Sequence, residues 1–221
     1  MKRRRSRAAA GDARDTILDS AERVFALHGY DGASMRMIAL GAGVAQALLH
    51  YHFSTKGKLY EAMFERRAGV INAFREKRLE ELLAGPKPPT LEALIDVLLQ
   101  PSPAWLGSEA QSGEYFASVV GAVSIASDAR SKKLMKRYYD PIAMRFIIAF
   151  MQVVPGLKKK DAVWAYLFAL GARLQMSSSN ERSMRLGGMR GLPKAANVQR
   201  DYIRFVAHGI RGIAYGADAK L

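Results

Sequence analysis

The stretch from Ser34 to Tyr60, SMRMIALGAGVAQALLHYHFSTKGKLY, does most to limit the folds open to this chain. Ser34 supplies a side-chain oxygen able to cap the free amides of a short helix, along which Met35, Ile38 and Ala39 recur at helical spacing and face inward. The run from Leu40 to Val44 makes a corner, because its glycines enter backbone regions closed to other residues. Val44, Leu48 and Leu49 then give a second helix an apolar stripe, with Phe53 anchoring its far end. Ala45, Gln46, Ala47, His50 and Tyr51 are left on the open side. A surface of small residues around one long amide suits close approach to base edges, which is how the second helix of a helix-turn-helix enters the major groove of DNA. A bare pattern of this kind fits an ordinary pair of core-packing helices as well.

The preceding segment narrows the choice. From Arg14 to Gly29, RDTILDSAERVFALHG, the residues Ile17, Leu18, Ala21, Val24 and Phe25 share one stripe, and Gly29, Asp31 and Gly32 stop the helix. Three helices can therefore share a small core. From Thr16 to Phe64 the chain resembles the TetR family of bacterial transcriptional regulators. The resemblance rests on Ala21 and Phe25 in helix one, the Gly29-Tyr30 that ends it, and Met37-Ile38-Ala39 in helix two. It continues through the turn Ala42-Gly43-Val44, the closing Tyr51-His52-Phe53 and the Thr55-Lys56 with Leu59 that open helix four. It implies that Ser34 and Arg36 hold DNA phosphates and that the recognition helix runs from Ala45 to His52. Gln46 and Ala47 fall at base-contacting positions, His50 and Tyr51 reach phosphates, and Lys56 grips the backbone. Ala45 stands where a serine or threonine is usual and Ala47 where a glycine is usual, so one hydroxyl contact is missing. Gln46, whose amide can pair bidentately with adenine, is then the first candidate for a base contact, with a merely solvated side chain as the alternative.

The charge agrees with a polyanionic partner: 34 Lys and Arg against 20 Asp and Glu give a net charge of +14. Lys2, Arg3, Arg4, Arg5 and Arg7 crowd the first residues, ahead of any hydrophobic period. This arm, residues 1–12, reads as disordered when free, and serves either as a phosphate or minor-groove contact or as a solubilising tail. It is no secretory signal, and no stretch is apolar enough for a membrane span. With no cysteine there is no disulfide framework, and a cytoplasmic protein is the expectation. The chain has four histidines; His50 and His52 lie two apart on a helix, unlike metal ligands at i and i+4. No nucleophile elbow, zinc spacing or dinucleotide glycine pattern is present. No enzyme, metal or cofactor is expected, and the rival to a sequence-specific regulator is a basic protein coating nucleic acid without preference.

Beyond the head, residues 13–58, a second domain is expected over residues 59–221, and the class is all-α. One helix from Lys58 to Leu83, about 40 Å long, can carry movement between the two. Thr90 caps Leu91 to Gln100, and Pro101, Pro103 and Gly107 break the chain before Glu109 to Ala126. Helices from Ser131 to Asp140 and Ile142 to Val153 meet at Pro141, and Pro155-Gly156 closes the pair. Asp161 to Met176 is apolar on nearly every face, so it needs partners on two sides. Asn197 to Tyr215 is its companion, and Ser177 to Pro193 between them reads as a mobile connector. The family resemblance implies that these last two helices pair with their twins in a homodimer. It also implies a small effector in this domain, apolar or anionic because acidic groups are few. Phe116, Tyr138, Phe146, Phe150, Trp164 and Phe168 are candidate lining residues, although such side chains also fill ordinary cores. The function expected is a repressor released from a palindromic operator in double-stranded DNA by that effector. An activating or effector-independent regulator is the alternative.

Overall fold

The computed structural model describes residues 2–99, 110–178, 180–191 and 193–216. Every regular element among them is a helix. In order they are α1 (Lys2–Gly32), α2 (Met35–Gly41), α3 (Gln46–Phe53), α4 (Lys56–Leu83), α5 (Leu91–Leu99) and α6 (Ala110–Ile125). There follow α7 (Ala129–Tyr138), α8 (Asp140–Val153), α9 (Lys159–Ser178), α10 (Asn180–Gly187) and α11 (Ala195–Tyr215). Several starts are set by local chemistry. Thr90 Oγ1 accepts from Ala93 N at 3.2 Å ahead of α5, and Asp128 caps α7 by accepting from Ser131 N at 3.1 Å. The expected breaks at Pro101, Pro103 and Gly107 lie outside the described residues.

Three expectations change. The basic run at the N-terminus is helical backbone, continuous with α1, where a disordered arm was expected. Lysine, arginine and alanine are good helix formers, so propagation from Arg14 backwards needs no core. The side chains of Lys2, Arg3, Arg4, Arg5 and Arg7 lie outside the described residues. Within the connector from Ser177 to Pro193, α10 forms between the glycine-rich end and α9. The domain boundary also moves. One compact unit takes α1 to α3, α4 as far as Ala73, α6 and α7; the other takes the rest of α4 with α5 and α8 to α11.

In the first unit, Ile17, Leu18, Phe25, Ile38, Leu49, Phe53, Leu59, Met63 and Phe64 share one buried cluster with Phe116, Val119, Val123 and Leu134. The head therefore closes its core with α6 and α7, and a boundary at residue 58 cuts through it. Each large side chain fully removed from water contributes roughly 1.5–3 kcal/mol. A charge is buried there too. Glu22 is 0% exposed, and its Oε1 accepts from Arg67 Nε at 2.8 Å and Arg66 Nη2 at 2.6 Å.

In the second unit, Leu94, Ile95 and Leu98 of α5 pack with Phe146, Ile147 and Phe150 of α8. Ala162, Ala165 and Ala169 of α9 and Tyr202, Val206 and Ile210 of α11 complete this core. The Tyr202 hydroxyl donates to Ala169 O at 2.8 Å, and burial pushes its phenol up to about 12. Arg211 holds Glu92 through two hydrogen bonds of 2.6 and 3.0 Å, which keep that carboxyl below the usual range. Alongside its alanines α9 buries Tyr166, while Trp164, Leu167 and Phe168 face out at 54%, 46% and 61% exposed. Phe205 of α11 is 72% exposed.

Candidate nucleic-acid interface

The corner between α2 and α3 is built as its residues dictate. Ser34 is extended, and its Oγ accepts from Met37 N at 3.2 Å, which leaves the hydroxyl proton free at the head of α2 beside exposed Arg36. Ser20 of α1 donates to Ile38 O at 2.8 Å in a buried bond. A Cβ on Gly41 would lie 2.6 Å from the Ser20 oxygen, so only glycine fits where α2 crosses α1. Gly43 has φ 65, the left-handed conformation that turns the chain into α3.

The inner face of α3 is narrow. Leu49 and Phe53 are buried, whereas Leu48, expected in the same stripe, is 37% exposed. A helix of two turns seats only its i and i+4 residues fully on α1. Ala45, Gln46, Ala47, His50 and Tyr51 are all exposed, Tyr51 by 80%, so the structure brings the expected reading residues onto one open surface. Ala45, the N-cap, makes no side-chain capping bond. Both ring nitrogens of His50 are engaged within the protein: Nδ1 lies 3.2 Å from Ser54 O and Nε2 lies 3.4 Å from Gln46 Nε2. Ser54 has φ 55 and ψ −50, the sole positive φ at a non-glycine among the described residues. This tight turn costs of order 1–3 kcal/mol.

Lys56 is placed differently from its expected role on the DNA backbone. Its ammonium donates to Tyr30 O at 2.7 Å and Ala33 O at 2.9 Å, reaches Asp31 O at 3.5 Å, and stands 4.5 Å from the Tyr30 ring centre. It ties together the turn that follows the break in α1 at Gly29, whose φ is 65 and ψ 178. Lys56→Ala is expected to lower the stability of this unit by about 1–3 kcal/mol, read from the urea midpoint. An unchanged midpoint with weaker binding to every duplex would return the residue to a phosphate.

Two groups around the head had no clear signal in the sequence. Arg130 of α7 lies 3.3 Å from the Tyr30 ring centre, and Tyr30 and Tyr60 meet edge to face at 5.1 Å. Burial pushes the Tyr60 phenol up to about 12 although Arg130 pulls it down. Glu22 with Arg66 and Arg67 is the other. Its only trace was a carboxylate four residues after Leu18, at the edge of the apolar stripe.

The six aromatic residues expected around an effector are divided between the two units. Phe116 packs against Phe64 at 5.3 Å, with Tyr138 at 6.4 Å from the same ring. Phe146 and Phe150 are 0% exposed in the core of the other unit, and Trp164 and Phe168 form an outward pair at 5.7 Å. Composition could not separate these settings, because core, cavity and interface draw on the same side chains. Among the described residues no three His, Cys, Asp or Glu groups converge on a metal site, and no helix is long and apolar enough to cross a membrane.

Comparison with known proteins matches two stretches of the chain. A family model described as bacterial regulatory proteins, tetR family, matches residues 17–63, and one described as tetracyclin repressor-like, C-terminal domain, matches residues 96–209. The transcriptional repressor AcnR of Corynebacterium efficiens is 35% identical over 75 residues, covering 34% of this chain and 40% of its own. The transcriptional activator FasR of Mycolicibacterium smegmatis is 38% identical over 78 residues, covering 33% and 36%. The chain thus spans well under half the length of these relatives. The crystal structure of the TetR-family regulator PfmR from Thermus thermophilus shares the fold with a TM-score of 0.56 at 19% identity, covering 87% of this chain and 97% of that one.

Proposed function

Since this chain belongs to the TetR family of bacterial regulatory proteins, we propose that it is a sequence-specific DNA-binding transcriptional regulator acting as a homodimer on a twofold-symmetric operator. The observation that carries the reading is the outer face of α3. There small residues surround one exposed amide, Gln46, while Leu49 and Phe53 hold the inner face in a packed core. Ser34, Arg36 and Tyr51 set the position of the duplex through phosphates, and Gln46 supplies base information. The outward apolar residues Trp164, Leu167, Phe168 and Phe205 on the last long helices suit a self-complementary contact with a second copy.

Repression is the favoured sign, because a bound dimer occludes a promoter. The relatives include both a named repressor and a named activator, so activation is the second reading. Release by a small apolar or anionic molecule in the second unit completes the proposal. Competition binding tests the DNA part: one palindromic duplex should be preferred over random duplex by about 10³ or more. Equal affinities that depend only on salt would leave a non-specific basic coat. Titration with a panel of lipophilic acids tests the effector part, and silence across the panel with no release of DNA would remove it.

A further inference from the structure

Gln46, His50 and Ser54 are spaced by one helical turn and form a single hydrogen-bonded line along the exposed side of α3. Its logic starts at Ser54. A backbone carbonyl only accepts, so the His50 Nδ1 that lies 3.2 Å from Ser54 O must carry the ring proton. In the neutral ring Nε2 is then a bare acceptor, and the group 3.4 Å from it must be a donor. The Gln46 amide can meet that demand only with its NH2 turned to the ring. One N–H is used on His50, while Oε1 and the second N–H stay available as an acceptor–donor pair. That pair is what a bidentate contact to the N6 and N7 of adenine requires. The carbonyl that starts the chain of constraint belongs to the one non-glycine residue of positive φ among the described residues, so an uncommon backbone conformation sits where it fixes the tautomer.

We infer that His50 is a positioning residue for sequence reading, which orients the Gln46 amide through Nε2 while Ser54 fixes its tautomer, and that it does not serve as a phosphate contact. The inference rests on the DNA-reading proposal above. It deepens that proposal by making specificity at one base pair the property of a pair of side chains.

The test uses the full-length dimer and a duplex enriched by wild-type protein from a random-sequence pool, with all four base pairs placed in turn where Gln46→Ala loses preference. Wild type should favour one base pair about tenfold or more. His50→Asn keeps a short donor near Ser54 but has no acceptor at the Nε2 position. It should cut that ratio as far as Gln46→Ala does, with an unchanged melting temperature, and the double variant should lose no more than either single one. His50→Gln, whose amide oxygen reaches further out, should recover part of the ratio. A preserved ratio with both affinities lowered together would overturn the inference, as would losses that multiply in the double variant or no recovery with His50→Gln. Failure of wild type to enrich any sequence would instead defeat the DNA-reading proposal itself, and this inference with it.

Discussion

Glu22→Ala should destabilise the N-terminal unit by about 3–5 kcal/mol, the cost of removing one partner from a buried ion pair. Glu22 is 0% exposed and Arg67 only 6%. The carboxylate accepts from Arg67 through both oxygens, at 2.8 and 3.0 Å, while Arg66 reaches it at 2.6 Å and Asp19 at 2.7 Å. Deleting the carboxylate leaves a guanidinium in the interior without the anion that offsets its desolvation. Total stabilities run to roughly 5–15 kcal/mol, so the loss is a large share. Thermal denaturation should show it as a fall of about 10 °C or more. Glu22→Gln keeps the shape and one acceptor oxygen, so a smaller loss is expected. The three side chains join α1 to α4, the two helices that frame the reading helix, and a fall below about 1 kcal/mol for Glu22→Ala would mean that water reaches the pair.

The second large effect concerns assembly. Phe205→Asp combined with Trp164→Asp should leave a folded monomer whose operator affinity is lower by roughly 10²–10⁴, the gain that two linked heads have over one. Both side chains are exposed in the single chain, at 72% and 54%, so helicity should be untouched. In a dimer each new carboxylate would be carried into an apolar contact. Sedimentation velocity reads the mass and a gel shift reads the affinity. A dimer of wild-type mass from the double variant would move the interface elsewhere.

Much of this molecule follows from local rules. Ser34 and Thr90 cap helices because a hydroxyl one step ahead of an apolar period can take a free amide. The positions of Leu49 and Phe53 follow from helical period and the need to seat α3 on something apolar. What stayed hidden depends on contacts distant in the chain. A lysine at the start of a helix looks like a free cation, and only folding brings the carbonyls of Tyr30, Asp31 and Ala33 under Lys56. The share of α6 and α7 in the core around Phe64 is equally hidden, because they lie far along the chain. Position alone puts His50 against a phosphate, whereas in the structure its two nitrogens meet Gln46 and Ser54. Aromatic residues were the least informative, since Phe146 in a core and Phe168 on a surface look the same in one dimension.

The central claim is that the outer face of α3 lies against nucleobases. Because the chain has no cysteine, a single one can carry a DNA-cleaving iron chelate without background labelling. Attached to Ala47→Cys and bound to the enriched duplex, the chelate should cut at two clusters related by the twofold symmetry of the site. The same reagent on Ile148→Cys, exposed on α8, should cut nowhere in particular. Bound protein that leaves the duplex intact from position 47, or cuts it from position 148 alone, would contradict the account.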